Sequence, residues 1–178
     1  MKTIRRHAAF GVVLLVAVCA ALVARADDEL KTDCDEAMAA FLKADSSLQA
    51  MLDSAAGYVI FPGIGKAGFI IGGERGKGLV YQGGKMIGQA KVTELNIGAQ
   101  AGAEKYSELI VFETPGALRD FKASDWEMSA KASAVIAAEG AAKSAKYMQG
   151  VAVFTMTKGG AMAQAAVGGQ KFKFRPSE

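Results

Sequence analysis

Residues Gly57–Tyr81 read GYVIFPGIGKAGFIIGGERGKGLVY. Gly63, Gly65 and Gly68 stand in G-x-G-x-x-G spacing behind the strand-like GYVIF. A dinucleotide loop with that spacing needs its third glycine to open a helix toward a pyrophosphate, and an acid about 20 residues further on to hold a ribose. Here Gly68 runs instead into Phe69, Ile70 and Ile71, then Gly72-Gly73 and Gly76-x-Gly78. β-Branched and aromatic side chains without a helical period favour strand. Glycines inside a first helix would each cost about 1 kcal/mol against alanine. The position 20 beyond Gly68 is Gly88, which has no side chain to offer a ribose. Pro62 reads as an interruption of the first strand. The run is a glycine-rich β-ribbon, where glycine permits bulges, tight turns and close backbone approach.

Outward from it, strand patterns dominate the rest of the chain. They cover Gly57–Phe61, Ala67–Gly73, Gly78–Gln82, Met86–Gln100, Ser107–Glu113, Met148–Thr157, Ala161–Val167 and Gln170–Arg175. Turn residues separate them at Gly83-Gly84, Lys158-Gly159-Gly160 and Gly168-Gly169. Runs such as Leu109-Ile110-Val111-Phe112 are apolar at every position, which requires a sheet covered on both faces or strongly curled. Thr114-Pro115-Gly116 opens a helix through Leu118 and Phe121, with Thr114 as cap and Pro115 in the first turn. In Trp126–Ala145 the alanine content favours helix. Met128, Ala130, Ala132, Ala134 and Ile136 nevertheless alternate at period two, and strand is the reading adopted.

Upstream, Lys2, Arg5 and Arg6 precede an apolar stretch over Ala8–Ala24 and an Ala24-Arg25-Ala26 site, the layout of a cleaved secretory signal over residues 1–26. Valine directly before Cys19 speaks against lipidation there. Residues 27–178 then form one domain of a size that supports a real core. They carry 17 Lys and Arg against 18 Asp and Glu, a net charge of −1. The distribution is uneven. Asp27–Asp53 has 8 acids and 2 bases, whereas Ser54–Glu178 has 10 acids and 15 bases. In the acidic segment, Thr32 reads as a helix cap followed by acids in the first turn. Met38, Phe41 and Leu42 follow at helical spacing. Asp45-Ser46-Ser47 can cap a second short helix with Leu48, Met51 and Leu52 on one face.

The only histidine, His7, lies in the signal. The remainder therefore has no His-based triad, Cys–His pair or imidazole metal site. Cys34 stands alone, so no internal disulfide forms, and its helical setting marks it as a small buried side chain. The acids show no catalytic motif. The composition calls for no enzyme activity, cofactor, metal or nucleic acid.

Three stretches together resemble the SYLF domain, the Ysc-type actin-regulator or lipid-binding family. They are Ala56-Gly57-Tyr58-Val59-Ile60-Phe61-Pro62 with Lys66-Ala67-Gly68-Phe69, then Gly72-Gly73 with Gly76-x-Gly78, and the block Lys146–Gly160. The resemblance spans nearly all of 27–178. It implies an α+β fold: a glycine-rich curled antiparallel sheet or barrel-like body (54–178), an N-terminal helical segment (27–53) and one further helix. It also implies binding to anionic phospholipids and, in eukaryotic members, to actin, which is not expected of an exported bacterial chain. The expected setting is the periplasm or the outer membrane.

The N-terminal helix departs from lipid-binding amphipathic helices, which favour Lys and Arg. The body is therefore the expected lipid-facing part. Lys171-Phe172-Lys173-Phe174-Arg175 alternates, with the aromatics toward the core and Lys171, Lys173 and Arg175 outward. Such a strand either protects a sheet edge or forms an anion-binding stripe. Lys66, Arg75, Lys77 and Lys85 flank glycine turns, where a cation and exposed N–H groups can hold a phosphate. Tyr58, Tyr81 and Trp126 suit either a lipid interface or the core, and packing is the commoner fate. The other reading is an envelope interaction module that self-associates through its acidic helix and basic body.

Overall fold

The computed structural model describes residues 25–66, 74–94, 106–123, 125–129, 134–157 and 169–177. Helix α1 (25–44) and helix α2 (Leu48–Ser54) precede β1 (Gly57–Lys66), β2 (Glu74–Gln82), β3 (Lys85–Glu94) and β4 (Tyr106–Phe112). Helix α3 (Pro115–Lys122), the two-residue strands β5 (Trp126–Glu127) and β6 (Val135–Ile136), helix α4 (Ala141–Ser144), β7 (Val151–Thr157) and β8 (Lys171–Pro176) follow. The eight strands form one sheet in the order β5-β8-β3-β2-β1-β4-β7-β6, curled into a half-barrel. Every pairing is antiparallel except β6 with β7. The fold is the α+β arrangement expected.

The all-apolar strands are covered on both faces. Along β4, Tyr106, Ile110 and Phe112 join one buried cluster with Val59, Phe61, Val80, Val92, Phe121 and Phe172. Leu109 and Val111 point the other way and join Ile60, Leu79, Phe154, Cys34, Phe41 and Leu48. Helix α3 seals the first cluster, and α1 and α2 seal the second. Cys34, Ala37 and Phe41 recur every three to four residues and are buried, as a helix face packed on a sheet requires.

The glycines act as bulge, turn and contact residues. A Cβ on Gly78 would lie 2.4 Å from the Ile60 carbonyl oxygen, so β1 and β2 can approach only without it. Gly83 and Gly84, at φ +58° and +74°, make the β2–β3 turn that L side chains adopt at a cost. Pro62 does not interrupt β1. The strand runs through it, and the register slips between Phe61 and Ile64 against β4, so proline sits at a bulge where no ladder donor is needed. The Ser107 hydroxyl donates to the Pro62 carbonyl at 2.9 Å.

Thr114 caps α3, its hydroxyl oxygen accepting from Ala117 N–H at 3.2 Å, with Pro115 opening the helix. Other boundaries move. Residue 25 is already helical, so Thr32 lies within α1 and its hydroxyl donates to the Asp28 carbonyl at 3.0 Å. Ser47 precedes α2 without a side-chain cap bond. β2 begins at Glu74, and β7 begins only at Val151, with Met148 bridged back to that residue. Trp126–Ala145 holds two short strands and the whole of α4, a helix beyond the one expected in the body. The expected strands Ala67–Gly73 and Ala161–Val167 lie outside the described residues.

Candidate functional site

The antiparallel register gathers basic residues that are far apart in sequence. Lys77 of β2 pairs with Lys91 of β3, and Lys91 in turn pairs with Lys173 of β8. The flanking rows place Thr93 opposite Lys171, and Gln89 opposite Arg175. Strand period two puts Lys77 on the same side as Leu79, and Lys171, Lys173 and Arg175 on the side opposite buried Phe172. Phe172, Ala90 and Val92 belong to the α3-side core, so the cations face away from α3. Adjacent strands are about 4.8 Å apart, and like charges directly opposite one another disfavour the sheet.

Lys77, Lys91, Lys171, Lys173 and Arg175 are all exposed. Lys173 meets Asp125 at 3.2 Å and Lys171 meets Glu127 at 3.8 Å. Both pairs are open to water and hold their partners weakly. Lys77, Lys91 and Arg175 make no ion pair with any described residue. The face is bordered by α1, where Gln89 donates to the Asp27 carboxylate at 2.9 Å. A groove of about 610 Å³ is lined by Asp33 and Glu36 of α1 and by Lys77, Pro62 and Gly63 of the sheet.

Of the cations singled out in the sequence, Lys77, Lys171, Lys173 and Arg175 therefore share one face. Lys85 does not join them: it sits at the β2–β3 turn, beyond the register shift that follows Val80. Lys66 and Arg75 pair through their backbones with Glu74 and Gly65, and their side chains lie outside the described residues. Lys91, the centre of the row, escaped the sequence reading. Its only local signal is the alternation Gln89, Lys91, Thr93 against buried Ala90 and Val92. Its significance needs the register.

The aromatic candidates are packed. Tyr58 and Tyr81 are cross-strand partners stacked at 4.9 Å between ring centres. Burial raises both phenols above their ordinary range, Tyr81 to about 12. Trp126 packs edge-on against Phe121 and tilted against Phe172. Cys34 is buried, its thiol pushed up to about 12 by burial, with Sγ 3.6 Å from the Ile60 carbonyl.

A polar hub holds α1, α2 and α4 together. Asp45 is fully buried in the turn between α1 and α2. Burial works against its ionised form, but donors outweigh it and lower its pKa: the Ser47 hydroxyl and N–H, Ala142 N–H at 2.7 Å and Gly140 N–H at 3.1 Å. The last two lie nearly 100 residues downstream, and nothing local in the sequence announces them.

Residues 93–178 match the family described as Ysc84, Las17-binding protein actin regulator. Over those residues the chain is similar to the Ysc84, or SYLF, family. No curated protein matches the chain. The match covers 86 of 178 residues and contains β4 to β8, while the AGYVIFP and KAGF strings that carry the resemblance lie upstream of it. SYLF domains are generally non-enzymatic and are consistent with lipid-binding or protein-interaction roles. β8 falls within the matched residues, whereas Lys77 and Lys91 precede them.

Proposed function

We propose that this SYLF-like domain binds anionic phospholipid surfaces through the exposed face of β2, β3 and β8, without catalysing a reaction, as an exported protein of the bacterial envelope. The Lys77–Lys91–Lys173 row carries the reading. A solvated surface needs charge, but it is better served by mixed signs than by three like charges in register. A row of this kind gains when a polyanionic surface neutralises it. Each basic residue near an anionic membrane contributes about 1 kcal/mol, screened within about 8 Å at physiological salt. The weak partners of Lys171 and Lys173 yield readily to such a surface.

Flotation of the full chain with phosphatidylglycerol-containing and pure phosphatidylcholine vesicles, at low and at moderate salt, tests the proposal. Binding to the anionic vesicles that weakens with salt is expected. No binding, or equal binding to both vesicles regardless of salt, refutes it.

A further inference from the structure

We infer that the seam of the half-barrel is a second ligand site, which takes the alkyl chain of one free long-chain fatty acid with its carboxylate at Lys146. β5 and β6 stand at opposite ends of the strand order, yet Trp126 of β5 and Val135 of β6 line the same cavity of about 440 Å³. The two sheet edges thus stand on either side of one gap, across which no strand pairing runs among the described residues. Cavities of roughly 300–1,000 Å³ are of small-molecule size.

The wall is apolar. Trp126, Met128, Val135, Val151 and Val153 form it, with Met148 at the mouth. Met148 is 47% exposed and lines the same cavity. Unbranched, flexible methionines adapt to an unbranched, flexible ligand. Ser129 and Gln149 also line the cavity, so its polar groups lie beside an apolar stretch that suits an alkyl chain. The seam edges are only two residues long, too short to template an added peptide strand.

The charges at the rim select the head group. Asp120, Glu127 and Lys146 stand there, all exposed. Glu127 meets Lys171, while Lys146 has no ion pair among the described residues. One free cation with Asp120 nearby fits a singly charged carboxylate better than a doubly charged phosphate monoester. The cavity contacts the α3-side core, and none of Lys77, Lys91, Lys173 and Arg175 lines it, although Glu127 at its rim pairs with Lys171 of the lysine face.

Trp126 is the sole tryptophan and reports directly on the site. The full chain is titrated with doxyl-labelled stearate below its critical micelle concentration, and tryptophan fluorescence is followed. Saturable quenching, displaced by unlabelled stearate, is expected. Met148→Lys and Lys146→Glu, both at exposed positions, should each weaken it at least fivefold, and Lys85→Glu should leave it unchanged. Val135→Phe, checked for folding by its thermal melt, should abolish it. Absence of saturable quenching in the wild-type chain overturns the site. Displacement by octadecylamine as effective as that by stearate overturns the head-group assignment.

Discussion

β4 and β8 belong to one sheet and have opposite characters. Every residue of β4 is buried, whereas β8 alternates, with Phe172 fully buried between exposed Lys171 and Lys173. β4 lies where α1 and α2 cover one face and α3 the other, so its cross-strand partners are apolar pairs such as Ile60 with Leu109 and Leu109 with Phe154. On the open face of β8, Lys173 meets Lys91, while Lys171 meets Thr93 and Arg175 meets Gln89. The lesson is a division of labour along the sheet. One half holds the fold together; the other half keeps only the α3-side core and frees its second face for contact.

Breaking the covered half should cost most. Phe154→Ala removes a fully buried ring from the α1-side cluster and should destabilise the domain by about 4 kcal/mol, read by chemical denaturation. The Asp45 hub comes next. Asp45→Ala strands the Gly140 and Ala142 N–H groups and should cost about 3 kcal/mol. Its pH dependence has a fixed sign. The folded-state pKa is lowered, so the contribution is present above the unfolded value, about 4, and is lost as pH falls through the folded value. Thermal melts of wild type and Asp45→Asn should therefore converge as the solution is acidified.

On the open face the ordering reverses. Lys91→Glu exchanges two repulsive cross-strand pairs for two attractive ones and should leave stability unchanged or raise it by about 0.5 kcal/mol. The same change should remove about 2 kcal/mol of binding to anionic vesicles, about 30-fold. A loss of stability comparable with that of Phe154→Ala would erase the distinction between the two halves. The smallest effect concerns Cys34. With its thiol pushed up to about 12, it should resist alkylation in the native chain at neutral pH and react only on unfolding, as mass spectrometry would show.

Much of the covered half was legible in the sequence because its signals are local. Leu109-Ile110-Val111-Phe112 announces two buried faces, Thr114-Pro115 announces a helix, and Gly83-Gly84 announces a turn. Pro62 was misread because a bulge and a strand end share the same local signature, and only the partner strand tells them apart. The alternation in Trp126–Ala145 was partly a packing pattern of short pieces, and alanine fits strand, turn and helix alike. The site was less legible than the fold. Lys171, Lys173 and Arg175 advertise themselves by perfect alternation, but Lys91 gains meaning only from being opposite both Lys77 and Lys173. Register over distances of tens of residues is set by the sheet as a whole and by its bulges. For the same reason Lys85, which looked equivalent to Lys77, falls outside the row.

The most direct measurement compares Lys91→Glu with Lys85→Glu for binding to phosphatidylglycerol vesicles at low salt. The two changes are identical in charge and differ only in place. Position decides the outcome if the lysine row is the contact face: Lys91→Glu should weaken binding about 30-fold and Lys85→Glu by less than about threefold. Equal losses for the two variants would contradict the row and leave only a diffuse dependence on net charge.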